Sequence, residues 1–103
     1  MLFIETPTFT RLITDLLRDE DYARLQLELA RRPDAGDLLR DGGGIRKLRW
    51  KRTGSGKSGG IRVIYYWISN NEQILMLLAY PKSVKDTLTD KETMILRKLV
   101  KEL

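Results

Sequence analysis

The chain contains no cysteine and no histidine. Without cysteine there is no disulfide and no thiolate chemistry, a composition that fits the cytosol. Without histidine the usual general base near neutral pH and the commonest metal ligand are both missing. No apolar run approaches the roughly 20 residues that a membrane helix needs. The opening Met1-Leu2-Phe3-Ile4-Glu5 lacks the basic segment that starts a signal peptide. Acidic residues are also missing where they would matter most. Between Gly42 and Asn71 there is none, yet Arg46, Lys47, Arg49, Lys51, Arg52, Lys57 and Arg62 all fall there. The net charge of +5 therefore understates the local field at the centre of the chain. A basic block of this kind favours a polyanionic partner.

The 103 residues, 42% of them hydrophobic, fit one compact domain over 1–103 with a modest core. Leu2 to Glu5 reads as a short strand. Thr6-Pro7 opens a helix, with proline tolerated in the first turn. Phe9, Leu12, Ile13, Leu16 and Leu17 then recur at helical spacing. Acids at Asp19 to Asp21 suit a second helix start, and Pro33 stops that helix after Arg32. Pro33 to Gly44 reads as a loop with a short turn at Asp37-Leu38-Leu39. Ile45 to Arg52 alternates as a strand, with Leu48 and Trp50 on one side and Lys47, Arg49 and Lys51 on the other. Thr53 to Gly60 is a hairpin loop. Ile61 to Ile68 is β-branched and aromatic, hence strand. A turn at Ser69 to Glu72 leads into a third long strand, Gln73 to Tyr80, apolar on both faces. Thr89-Asp90-Lys91-Glu92 matches a capping box, with Ile95, Leu96, Leu99 and Leu103 as the apolar face of the last helix. The order β-α-α-β-β-β-α predicts an α+β fold with a mainly antiparallel sheet of about four strands and helices on one face.

Two features carry possible chemistry. Gly54-Ser55-Gly56-Lys57-Ser58 looks like the end of a phosphate-binding P-loop. That motif needs a glycine where Lys51 stands and a helix directly after it, whereas a strand follows here. The second feature is the strand face bearing Lys47, Arg49 and Lys51, which Arg62 can join, with Tyr80 and Lys82 at the rim. Lys and Arg on an exposed strand also serve simply to discourage edge aggregation. Read as a binding face, the cluster suits a phosphodiester backbone. Such a face can also cut RNA without histidine or metal. The ribose 2′-OH attacks its own phosphate, cations offset the phosphorane charge, and Lys or Tyr handles the protons. Tyr65, Tyr66, Trp50 and Trp67 read as core rather than as stacking platforms. Arg46 and Arg52 read as surface or interface charges.

Gly43-Gly44-Ile45-Arg46-Lys47-Leu48-Arg49, then Gly56-Lys57-Ser58-Gly59-Gly60-Ile61-Arg62-Val63-Ile64-Tyr65-Tyr66, then Leu77-Leu78-Ala79-Tyr80-Pro81-Lys82 resemble the RelE/HigB family of bacterial toxins, nearest its HigB-like branch. The resemblance implies a RelE-like α/β fold and the toxin of a type II toxin–antitoxin pair, acting in the cytoplasm. It implies cleavage of mRNA in the ribosomal A site without cofactor or metal, and so inhibition of translation. An adjacent-gene antitoxin, of a helix-turn-helix HigA-like type, would neutralise it, with DNA touched only through that complex. Carried over by position, Lys47 and Arg49 hold phosphate, with Lys47 also a proton-transfer candidate. Arg62 stabilises the transition state, Lys82 is the basic residue after the last strand, and Tyr80 stacks on a base or moves a proton. Lys51, Lys57, Arg46 and Lys85 add RNA contacts. Archetypal relatives carry a tyrosine in the C-terminal segment, and this chain has none after Tyr80. The proton-transfer role is thus open between Tyr80 and Lys85 as well as Lys47. Competing readings are a ParE-like inhibitor of DNA gyrase and an inactive RNA-binding relative.

Overall fold

Thr6 shows how local chemistry starts this fold. Its hydroxyl accepts from the Phe9 amide at 3.0 Å, capping a helix whose first residue is Pro7. The same hydroxyl donates to the Leu77 carbonyl at 3.0 Å, pinning the helix start to a distant strand. A computed structural model describes residues 1–52 and 59–102. Strand β1 spans Leu2–Glu5, helix α1 Pro7–Leu16 and helix α2 Asp19–Arg31. Strands β2 (Asp37–Leu38), β3 (Ile45–Lys51), β4 (Gly60–Ile68) and β5 (Gln73–Pro81) follow, and helix α3 covers Asp90–Lys101. A 3₁₀ turn at Ser69–Asn71 links β4 to β5.

The described strands form a single sheet in the order β1-β5-β4-β3-β2. Only β1 and β5 run parallel; the other pairs are antiparallel. The sheet is thus mainly antiparallel, as the element order predicts. Two expectations need correction. Asp37 and Leu38 do not form a plain turn but a short edge strand against Lys47 and Arg46. The helices also do not share one face. Phe9, Ile13, Leu17, Leu25 and Leu29 from α1 and α2 pack against Leu48, Ile61, Val63, Tyr65, Ile74 and Met76. Leu88, Leu96 and Val100, on and just before α3, pack on the opposite face against Ile45, Ile64, Leu75 and Leu77. Near-continuous apolar β4 and β5 are what a sheet covered on both sides requires.

Helix α3 begins at the predicted capping box. Thr89 Oγ1 accepts from the Glu92 amide, and the Glu92 carboxylate accepts from the Thr89 amide. Its buried side differs from the prediction, because Leu96 and Val100 face the sheet whereas Ile95 and Leu99 are exposed. Leu103 lies outside the described residues.

Tyr65 organises the loop after α2 from within the core. Its hydroxyl donates to the Pro33 carbonyl at 2.7 Å and accepts from the Gly36 amide at 2.9 Å. A side-chain carbon on Gly36 would stand 2.9 Å from the Tyr65 ring, so this close approach needs glycine.

One irregularity governs the site. Tyr65 pairs with Met76 and Ile64 with Leu78, which leaves Leu77 as the extra residue of a β-bulge. A bulge shifts the alternation of everything beyond it. Leu75 and Tyr80 therefore occupy the same face of β5, although their separation in sequence is odd. The carbonyl of the bulged residue is the one that takes the Thr6 hydroxyl, so an irregular backbone group finds a partner.

Candidate nucleic-acid interface

The cations gather because β3 and β4 pair in a definite register. Arg49 stands opposite Arg62, which in turn stands opposite Tyr80 on β5. Directly opposed side chains in neighbouring strands sit roughly 5 Å apart, so these three form one row across the sheet. One row on, Lys51 stands opposite Gly60. The missing side chain there leaves room for Lys82, whose Cδ lies 3.5 Å from where a Gly60 Cβ would be, with Arg62 Nη1 at 3.8 Å. Lys47, opposite Ile64, completes the group on the other flank. All of this lies on the α3 side of the sheet, beyond the end of the apolar patch that α3 covers.

Between this cluster and α3 runs the segment 83–89. Its Asp86 carboxylate lies among the cations. Arg62 Nε and Nη2 donate to Asp86 Oδ1 at 2.9 and 2.6 Å. Lys47 Nζ donates to the Asp86 carbonyl at 3.1 Å and lies 3.9 Å from Oδ2. The side chains of Arg62 and Lys47 are each only 10% exposed, whereas that of Asp86 is 61% exposed. The hydrogen bond from Arg62, with the charge of Lys47 next, holds the Asp86 carboxyl below its ordinary range. Lys85 pairs with Glu92, and its ammonium sits 5.4 Å above the Tyr80 ring.

Tyr80 lies beneath these groups, and its buried hydroxyl has no hydrogen-bond partner among the described residues. Burial first, and then the nearby Asp86 charge, push its pKa up to about 12. The phenol is therefore a proton donor near neutral pH in this arrangement, rather than a base.

The sequence-predicted residues divide as follows. Lys47, Arg49, Lys51, Arg62, Tyr80 and Lys82 come together on one face, with Lys85 over Tyr80. Arg46 does not join them. It points to the other face, where its guanidinium donates to the carbonyls of Gly36 at 2.7 Å and Asp34 at 3.2 Å. It is a brace for the loop after α2, since alternation along β3 opposes it to Lys47. Arg52 donates to the Gly59 carbonyl at 2.6 Å at the strand exit. Lys57 and the P-loop-like stretch lie outside the described residues. Trp50 and Trp67 pack against the α1–α2 core, and Tyr66 against the α3 core, as expected of core aromatics. Asp86 is the residue that sequence reasoning missed. A signal was present, because it is the lone acid between Glu72 and Asp90 and follows directly on Lys85.

Among the described residues no trio of Asp and Glu side chains gathers as a metal site, and no helix is long and apolar enough to cross a membrane.

The family model for the RelE toxin of the RelE/RelB toxin–antitoxin system matches residues 6–103. Among solved structures, the chain resembles that of the intact E. coli RelBE toxin–antitoxin complex at a TM-score of 0.57 and 16% identity, covering 78% of this chain and 94% of that one. It also resembles a double arginine-to-alanine mutant of E. coli toxin RelE in the free state, at a TM-score of 0.58 and 16% identity, covering 82% of this chain and 86% of that one. Such identities carry the fold, while the family match spans nearly the whole sequence. The chain belongs to the RelE toxin family of toxin–antitoxin systems.

Proposed function

We propose that this chain, as a single toxin domain over 1–103, is a metal-independent endoribonuclease that cleaves mRNA on the ribosome and so arrests translation. The observation that carries this reading is the row Arg49–Arg62–Tyr80, flanked by Lys47, Lys51 and Lys82 on one sheet face. The scissile phosphate sits against Arg62 and Arg49, whose fixed forks suit a planar array of phosphate oxygens. The ribose 2′-oxygen forms a bond to phosphorus as the bond from phosphorus to the 5′-oxygen breaks. The 2′-OH proton passes to a base, for which Lys47 in its neutral form is the candidate. Lys47 stands on the same sheet face as Arg49 and Arg62, at the flank of the phosphate position. The leaving 5′-oxygen gains a proton from Tyr80 or Lys85. The products are a 2′,3′-cyclic phosphate and a 5′-hydroxyl end. The cations stabilise the doubly charged phosphorane more than the ground state, which is where the rate gain arises. Lys51 and Lys82 hold flanking phosphates.

The partner that neutralises such a toxin is a cognate antitoxin, supported by the complexed state of the RelE in the E. coli RelBE structure. We assign its acidic surface to the cation face, and its apolar residues to Met94, Ile95 and Leu99, which α3 leaves exposed. A helix-turn-helix antitoxin and a place in the HigB-like branch complete the reading, and both rest on the sequence resemblance. The site of action is the cytoplasm.

The test is induced expression of the wild type and of Arg62→Ala in bacterial cells, with mapping of new mRNA 5′ ends. New 5′-hydroxyl ends inside translated frames that vanish with Arg62→Ala are the expected result. Growth arrest without new ends points instead to a gyrase-type inhibitor, and no arrest at all points to an inactive relative.

A further inference from the structure

Taking the cation cluster as the phosphate site proposed above, we infer that Asp86 is a built-in occupant of that site. Its carboxylate stands where the scissile phosphate must bind, and the segment 83–89 is a latch that substrate has to displace.

The geometry supports an occupant rather than a fixed structural ion pair. Arg62 spends two N–H donors on one oxygen of Asp86, at 2.9 and 2.6 Å. Lys47 meets both the carbonyl and the second carboxylate oxygen. A carboxylate and a phosphate are the two anions for which the guanidinium fork is suited, so one can replace the other without rearranging Arg62. With Asp86 in place, the Arg62 and Lys47 side chains are each only 10% exposed. A phosphate that is to use the Arg62 Nε and Nη2 donors has to take them from Asp86.

The latch is held in a way that permits release. Between Pro81 and Leu88, Asp86 meets Arg62 and Lys47 and Lys85 lies over Tyr80, while Lys85 also pairs with Glu92 on α3. The Val84 side chain is 69% exposed. Leu88, buried in the α3 core, forms a natural hinge at the far end. Because Asp86 is 61% exposed, little apolar surface is lost when it swings outward. Opening also relieves the buried Tyr80 hydroxyl, which finds no partner while the latch is shut. A 5′-oxygen or a phosphate oxygen would supply one.

The consequence is competition between an internal and an external anion. The free toxin keeps part of the charge of Arg62 and Lys47 offset by its own carboxylate. Only an RNA held by several contacts at once, through Lys51, Lys82 and Arg49 in addition to Arg62, competes effectively with an intramolecular carboxylate.

The experiment uses the full chain and a short single-stranded RNA with 2′-O-methyl riboses, which binds but has no 2′-OH to react. Affinity is read by fluorescence anisotropy at fixed salt for the wild type, Asp86→Asn, Arg62→Ala and the double variant. Asp86→Asn keeps the shape and removes the charge, and should tighten binding about ten-fold, the scale of a charge-assisted against a neutral hydrogen bond. The gain should disappear when Arg62 is also Ala, because the competition occurs at that guanidinium. Unchanged or weaker binding by Asp86→Asn, or an equal gain with Arg62 absent, would overturn the latch. The ribonuclease reading stands or falls separately. Tighter binding by Asp86→Asn without Arg62-dependent 5′ ends in cells keeps the latch and removes the nuclease. Arg62-dependent ends without tighter binding do the reverse.

Discussion

Replacing Arg62 with methionine should leave the protein at least as stable as the wild type while abolishing its activity. Arg62 is a charged side chain in β4 that is only 10% exposed, directly opposite Arg49. Taking a guanidinium out of water costs several kcal/mol, and a like charge directly across a strand pair adds up to about 1 kcal/mol. The ion pair with Asp86 offsets only part of this, because that carboxylate stands largely in solvent and an exposed partner is screened. Methionine retains most of the aliphatic stem that packs in the sheet, so little packing is lost. The expected outcome is a gain of about 1 kcal/mol, with urea unfolding followed by the fluorescence of Trp50 and Trp67. With an m-value near 2 kcal/mol/M, the midpoint then moves up by about 0.5 M. Cleavage should fall by at least about 100-fold, the usual scale for loss of one preorganised donor to a transition-state oxyanion. Such an opposition between stability and activity marks a residue kept for function. A destabilisation of more than about 2 kcal/mol would show that Arg62 is a structural keystone, and the site assignment would lose its physical basis.

Tyr65→Phe should cost about 1–3 kcal/mol in the same unfolding assay, because it strands the buried Gly36 amide and the half-buried Pro33 carbonyl. Thr6→Val removes both the α1 cap and the partner of the bulged Leu77 carbonyl. A loss of about 1–2 kcal/mol is expected, together with reduced cleavage as the aim of Tyr80 relaxes. Tyr80→Phe should cost no stability near neutral pH, since it removes a buried hydroxyl that has no partner among the described residues. Its mark should appear under alkali. The folded pKa of Tyr80 is raised to about 12 from an ordinary 10.0. Its contribution is therefore fully present below pH 10 and is lost as pH rises towards 12, because the unfolded chain releases the proton first. Tyr80→Phe should unfold less steeply than the wild type over that range, and identical alkaline curves would refute the burial of this phenol.

Much of the architecture could be read from local chemistry. The Thr6-Pro7 start, the Thr89–Glu92 box and the stop at Pro33 are decided by neighbours within one turn of chain, and all fall where the residues put them. Arg49 and Lys51 share a face with Lys47 because a strand has period two, which needs no knowledge of the rest of the molecule. The buried side of α3 was only half legible. Met94, Ile95, Leu96, Leu99 and Val100 make a stripe wide enough to be buried in more than one rotation, and packing selects Leu96 and Val100. Arg46 looked like one more cation of the block, since a linear count of charge ignores which face each residue takes.

The sequence by itself determined the helices and the long strands, the charge of the central strands and the family to which the chain belongs, because caps, periodicity and composition act over short distances. Tertiary structure alone decided three things. It put α3 on the opposite face from α1 and α2, because a sheet apolar on both sides must be covered on both. It turned Tyr80 towards Arg62 through the bulge at Leu77, a shift in register that depends on how β5 pairs with β4 and not on the residues of β5 alone. And it seated Asp86 among the cations across a 24-residue separation from Arg62, because opposite charges meet by proximity in space, which the order of residues along a chain does not encode.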